Sequence, residues 1–372
     1  MSFEVAPEKK YKYNKIHPRL EIYRKELITF LFDKFYNVCT QFNPTFPKHK
    51  AIDFMTRFCW KNDGDVDPVI PYNTEHKYDK KQLRKDLNNY GFDDEQVMKK
   101  LKIGHTLLDL IEQVEKMYDK IDENDDIVID HQDDRLVYER WNVECSNSMY
   151  RKLEKFYDGK FKNKDMLFFC ILYRYSILGA DNQQLSVNVD LKRELTTNFS
   201  VNYELFGSCF NRTYKTYNSI YYDVEKYFGS AGNFFNNTYI EGLYMANPPF
   251  DETIMENMSL KLIECLEKTS KPLGFIIFIP IWDFDTMKKI SAICKTKFAD
   301  MGKYDAYEIL KASKYYHKHY IFCKNSFPYH NLKTGELVFA SNTYIFILKN
   351  DKMNFNSRLF DSLVAKYRPM YL

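Results

Sequence analysis

Glycine and proline are scarce, at 12 of each among 372 residues, about half the usual combined share. That excludes collagen-like, linker-dominated or largely disordered chains. No run of about 20 apolar residues occurs, and the opening Met1-Ser2-Phe3-Glu4-Val5 has no apolar core. The expectation is therefore a soluble, intracellular protein with neither membrane span nor secretory leader. Excess charge of one sign is also missing: 54 Lys and Arg face 51 Asp and Glu, a net +3. A nucleic-acid site must then be a local patch rather than a bulk field. The eight cysteines never occur as Cys-x-x-Cys, and several lie in apolar runs such as Phe168-Phe169-Cys170-Ile171-Leu172. They read as reduced core residues. The acidic stretch 119–134 lacks the Gly and Glu that a calcium loop requires at its positions 6 and 12. What is abundant is aromatic: 30 Tyr and 30 Phe. Compositional bias accounts for most of that excess, because base stacking needs only a few rings.

From His17 to about Ala180 the apolar spacing is helical: Leu20, Tyr23, Leu27, Leu31, Phe35 and Val38 form one stripe, and Leu107, Ile111, Val114 and Tyr118 another. Further helices are expected over 133–157 and 165–175. After about residue 195 the pattern becomes short continuous apolar runs at 201–206, 242–246, 273–279 and 343–348, with helical spacing at Ile254, Met255, Met258, Leu262 and Leu266. Continuous runs suit a sheet buried on both faces. The expected architecture is an α-helical domain over 1–180 followed by an α/β domain over 181–372 with a mostly parallel sheet.

In open α/β sheets ligands sit beyond the carboxyl ends of the strands. Directly after the run 242–246 stands Asn247-Pro248-Pro249-Phe250. Two prolines donate no hydrogen bond and hold the preceding residue extended, so the Asn side chain and the carbonyls form a rigid set of acceptors beside a ring. An aminopurine fits, since its exocyclic amine donates two hydrogen bonds and its face stacks on an aromatic ring. Adenine N6 is a poor nucleophile because its lone pair is delocalised. Acceptance of both protons, by the Asn247 side chain and the Pro248 carbonyl, would stabilise positive charge as N6 attacks an electrophilic methyl. The plain alternative is a Pro-Pro turn between strand and helix.

The tetrad resembles the motif of N6-adenine methyltransferases. Around it, Glu204-Leu205-Phe206-Gly207-Ser208-Cys209-Phe210-Asn211, Tyr217-Asn218-Ser219, Tyr227-Phe228-Gly229-Ser230-Ala231-Gly232, and Pro272 to Trp282 follow in order, with Asn342 to Asp351 last. This series, over about 165–350, is similar to the phosphorylated-CTD-interacting factor family of cap-specific adenosine N6-methyltransferases. The resemblance implies a Rossmann-like class I S-adenosylmethionine-dependent domain with an antiparallel last strand, preceded by an α-helical domain. It further implies N6 methylation of the first transcribed, usually 2′-O-methylated adenosine beside a 7-methylguanosine cap, with capped mRNA as partner. An N6-adenine methyltransferase of DNA or internal RNA, and a non-catalytic RNA-binding subunit, are the alternatives. With Trp only at 60, 141 and 282, no WW module is expected and docking on the polymerase tail is not.

The resemblance places catalysis on Asn247, Pro248, Pro249 and Phe250, and S-adenosylmethionine near Glu204, Phe206, Gly207, Ser208, Asn211, Phe228, Gly229 and Asn247. Asp223 either receives ribose hydroxyls or is simply exposed. RNA contacts are expected from Trp282, which either stacks on a base or caps the core, and from the basic and aromatic run Lys314, Tyr316, His317, Lys318, His319 and Lys324. His317, His319, Cys323 and His330 could bind zinc on paper, but this chemistry needs no metal and none is expected.

Overall fold

Helices dominate the chain up to residue 177, and strands and helices alternate from 185 onward. The computed structural model describes residues 2–4, 11–60, 65–74, 80–122, 125–177, 184–294, 305–332 and 334–370, with backbone only at 81, 82 and 294. In order, these form β1 (Ser2–Glu4), α1 (Pro18–Phe42), α2 (Lys48–Trp60), α3 (Lys81–Asn89), α4 (Asp94–Leu101), α5 (Ile103–Tyr118), β2 (Asp130–Gln132), β3 (Arg135–Tyr138), β4 (Trp141–Glu144), α6 (Asn147–Phe156) and α7 (Lys164–Ile177). There follow β5 (Leu185–Val187), α8 (Val189–Phe199), β6 (Tyr203–Glu204), β7 (Thr216–Tyr217), α9 (Tyr222–Glu225), β8 (Thr238–Ala246), α10 (Glu252–Lys268), β9 (Leu273–Pro280), α11 (Phe284–Cys294), α12 (Asp305–Ala312), β10 (Tyr316–Phe322), β11 (Tyr329–Asn331), β12 (Glu336–Val338), β13 (Thr343–Lys349) and α13 (Ser357–Ala365). Among the described residues no helix is long and apolar enough to cross a membrane.

Two units result. One takes in the described residues within Met1–Pro7, Gln183–Tyr222 and Phe228–Leu372, the other those within Glu8–Asn182 and Asp223–Tyr227. This division differs from the expected 1–180 and 181–372 in two places: β1 joins the first unit by pairing with β8, and 223–227 joins the second. The expected boundary itself, at 180/181, lies outside the described residues.

The second unit is built on α1, whose stripe Leu20, Leu27, Leu31, Phe35 and Val38 is buried, as are Leu107, Ile111 and Val114 of α5. The helix expected from 133 starts only at Asn147; before it β2, β3 and β4 form an antiparallel sheet. Asp133 (φ 51°) and Glu139 (φ 52°) turn these strands, and Leu136 and Tyr138 alternate inward in β3, a period of two that the neighbouring helical spacing masks. Burial pushes the Cys39 and Cys145 thiols up to about 12, so both stay protonated core fillers.

The first unit carries a sheet of order β10-β13-β9-β8-β6-β7, with β1 on β8. Strands β6, β7, β8 and β9 are parallel, β13 runs antiparallel to β9, and β10 antiparallel to β13. The protein is thus mixed α/β with a parallel-strand sheet. Successive residues of the apolar runs enter opposite cores. Tyr244, Ala246, Phe275, Ile277, Tyr344 and Phe346 pack with Met255, Met258 and Leu262 of α10. Leu243, Met245, Ile276, Phe278, Ile345 and Ile347 pack with Leu191 of α8 and Phe360 of α13. Burial on both faces is why these strands show no polar alternation. A small antiparallel sheet, β12-β11-β5, completes the unit.

Gly229 is required by this packing. Its φ is +92°, and a Cβ there would lie 2.6 Å from the Lys215 carbonyl oxygen. Gly229→Ala is expected to cost roughly 1–3 kcal/mol, read as a lowered urea midpoint with unchanged slope.

Candidate functional site

The chain runs from β6 to β7 on one side and returns to β8 on the other side of β6. The order reverses there, so the carboxyl ends of β6 and β8 flank the crevice where such sheets bind ligands. Both expected motifs end at this crevice.

At the carboxyl end of β6, Phe206 and Gly207 are partly exposed, and Phe206 leans on Phe234 with centroids 4.6 Å apart. Gly207 leaves room for packing, since an added Cβ would sit 3.3 Å from the Tyr217 ring. Ser208 is buried. Its N–H donates to Asn211 Oδ1 at 2.8 Å, and its Oγ accepts from the N–H groups of Phe210 and Asn211. The hydroxyl then donates to Gln184 Oε1 at 2.6 Å.

At the carboxyl end of β8, Asn247 Nδ2 donates to the Leu185 carbonyl of β5 at 3.2 Å. That bond fixes the amide orientation, and Asn247 Oδ1 is left buried with no hydrogen-bond partner among the described residues. A buried unfilled acceptor costs about 1–3 kcal/mol, so it calls for a donor from a ligand. Asp251 N–H donates to the Pro249 carbonyl at 2.8 Å, and the Asp251 carboxylate caps α10 through the Ile254 N–H at 3.0 Å, anchoring the prolines to a helix start. Phe250 is half-buried, edge-to-face with Trp282 (6.4 Å, 83°) and Tyr329 (6.0 Å, 81°). Tyr329 and Gln184 are the members that sequence reasoning missed. Neither lies in a recognisable motif; Tyr329 arrives through the β5–β11 pairing, and Gln184 immediately precedes β5.

Other expected residues lie elsewhere. Glu204 is buried against Lys192 of α8, whose ammonium sits 2.8 Å from each carboxylate oxygen, so Glu204 is corrected from a cofactor ligand to an ion-pair partner. Burial pulls the Lys192 pKa below its ordinary value, against the pull of Glu204. Asp223 belongs to the second unit, where it is buried rather than exposed, and Arg174 holds both its oxygens at 2.8 and 2.6 Å. Phe228 is buried. Gly229 packs on Lys215, just ahead of β7, and not at its carboxyl end.

The basic and aromatic run is mostly β10, at the end of the strand order, with Lys314 before it and Lys324 after it. Tyr316 pairs with Leu348, whereas Phe322 pairs with Thr343 opposite Pro280. Tyr316 therefore lies at the amino-end side of the sheet, six residues or roughly 20 Å from the crevice side. Lys318 pairs with Asp361 at 2.6 Å, His317 meets Ser357 at 2.7 Å, and Lys314 lies near Glu267 at 3.5 Å. Burial, assisted by Lys311, pushes the His319 pKa down to about 4, so the ring is neutral at pH 7 and sits 2.7 Å from the Tyr316 hydroxyl. These residues are not gathered at the crevice. Lys324, exposed beyond the carboxyl end of β10, and Trp282, just after β9, are at the crevice side. Among the described residues no group of three or more His, Cys, Asp or Glu could hold a metal ion.

A parallel-strand α/β sheet with an acceptor-rich turn at its crevice fits a methyltransferase-like protein. Residues 146–328 match the family described as phosphorylated CTD interacting factor 1 WW domain. Two curated relatives, both named mRNA (2'-O-methyladenosine-N(6)-)-methyltransferase, are similar. That of Mus musculus is 33% identical over 152 residues, 38% of this chain and 22% of the relative. That of Homo sapiens is 30% identical over 167 residues, 41% of this chain and 24% of the relative. The matched region spans less than a quarter of either relative. The family description conflicts with the expectation that no WW module is present and that polymerase-tail docking does not occur; both expectations are withdrawn. The matched span itself includes α6 to β10 and a single tryptophan, Trp282.

Proposed function

We propose that this chain is a member of the phosphorylated CTD interacting factor family and an S-adenosylmethionine-dependent mRNA cap-specific adenosine N6-methyltransferase, on a Rossmann-like class I sheet. The observation that carries this reading is the orphaned, buried Asn247 Oδ1 at the switch point. Support comes from the strand order with β13 reversed and from the names of the two relatives.

Phe206 and Gly207, partly exposed beside the Asn247 turn, fit the methyl-donor side, with Ser208 and Asn211 holding their backbone. S-adenosylmethionine would supply an electrophilic methyl on sulfonium. The chain's own work is orientation and electrostatics. Asn247 Oδ1 accepts a hydrogen bond from one N6–H and the Pro248 carbonyl from the other, which localises the N6 lone pair and stabilises the charge that develops on nitrogen; the donor would depart as the neutral thioether and the surplus N6 proton would pass to water. Phe250 stacks on the adenine, with Trp282 and Lys324 on the RNA side.

Methyl transfer from labelled S-adenosylmethionine to three substrates tests this. Capped RNA beginning with 2′-O-methyladenosine is expected to be methylated and uncapped RNA and DNA not. Transfer to uncapped RNA or DNA would redirect the activity to another adenine substrate. Absence of S-adenosylmethionine binding in calorimetry would make the chain a non-catalytic RNA-binding subunit.

A further inference from the structure

Two consecutive residues, one just before β5 and one at its start, grip the two halves of the crevice. Gln184, itself buried, accepts from the Ser208 hydroxyl at 2.6 Å on the methyl-donor side. Leu185 accepts from Asn247 Nδ2 at 3.2 Å on the acceptor side. We infer that Gln184 is a positioning residue that sets the orientation of the Asn247 amide through Leu185. This inference rests on the methyltransferase reading of the site.

Asn247 can present its oxygen or, after a half-turn of the amide, its nitrogen. Only the oxygen accepts from an exocyclic amine. The Leu185 carbonyl selects the productive orientation, because it accepts but cannot donate. Its hold is good only if the strand start stays in place. β5 is three residues long, and Leu185 pairs with Asn331 at the end of its ladder with β11; Gln184, one residue earlier, lies beyond that ladder and needs its own anchor to hold the strand start. The Gln184–Ser208 bond supplies it, between side chains 6% and 2% exposed. The Ser208 turn does not depend on Gln184 in return, since Ser208 Oγ still accepts from the N–H groups of Phe210 and Asn211. The coupling therefore runs one way, from the turn through β5 to the amide.

This asymmetry separates the inference from a general packing role. Gln184→Ala is expected to lower kcat about tenfold to a hundredfold, the range for a small misplacement of a catalytic group. S-adenosylmethionine affinity, measured by calorimetry on the full chain, is expected to stay within threefold of the parent. Gln184→Glu, which keeps an acceptor oxygen for the Ser208 hydroxyl, is expected to recover most of the loss. An unchanged kcat in Gln184→Ala would overturn the inference. So would a parallel fall in kcat and donor affinity, or a Gln184→Glu variant as slow as Gln184→Ala. An inactive parent chain would instead count against the methyltransferase reading.

Discussion

Asn247→Ala is expected to lower methyl transfer to capped adenosine by about 10²–10³-fold, the loss that follows removal of one preorganised hydrogen-bond partner of a developing charge. Among the described residues the Asn247 side chain bonds the Leu185 carbonyl through Nδ2, while its oxygen has no partner. The substitution therefore removes little folded-state bonding, and the thermal midpoint should move by only a few degrees. Loss of rate without loss of fold is the signature of a group held for a ligand. Asn247→Asp is expected to fall between the two, because it keeps the acceptor but sets a second oxygen against the Leu185 carbonyl. Single-turnover rates at saturating RNA decide the matter. An alanine variant retaining more than a tenth of the parent rate would refute the role given to Oδ1.

The acceptor-rich turn proposed for catalysis was legible in the sequence as a turn after a strand because its residues are local. Asn247 to Phe250 are consecutive, two of them proline, and the preceding strand announces where the turn must fall. The doubly buried sheet was legible for a similar reason: the runs at 242–246, 273–279 and 343–348 carry no polar alternation, and the two cores they fill explain why. What the sequence concealed depends on partners far along the chain. Glu204 sits in a motif that resembles a cofactor site, yet Lys192 occupies it. The run from Lys314 to Lys324 has the composition of an RNA patch, yet strand pairing sends its first residues to the far end of the sheet, and Asp361 and Ser357 occupy two of them. Gln184 and Tyr329 reach the crevice through a three-residue strand that no periodicity reveals.

Arg174→Met is expected to destabilise the second unit by about 3–5 kcal/mol, the cost of breaking a buried ion pair from one side. Arg174 of α7 is fully buried. It donates through Nη1 to both oxygens of Asp223, and through Nε and Nη2 to Glu21 at 3.0 and 2.5 Å. Burial works against its charge, but Asp223 and Glu21 outweigh that and hold its pKa above the ordinary value. Arg24 shares Glu21 Oε1 with Arg174, at 2.7 Å, and holds Asp67 at 2.8 Å, so two guanidinium groups sit among three carboxylates. Loss of one cation leaves Asp223 without this ion pair in a buried setting, and methionine supplies volume but no charge. Arg174→Lys is expected to recover only part of the loss, since an ammonium cannot bridge two carboxylates as the planar fork does. Urea unfolding measures both variants. The same logic discriminates the two roles weighed for Asp223. A ribose ligand would make Asp223→Ala weaken S-adenosylmethionine binding at little cost in stability, whereas the ion pair makes it lower the urea midpoint and leave donor affinity within threefold.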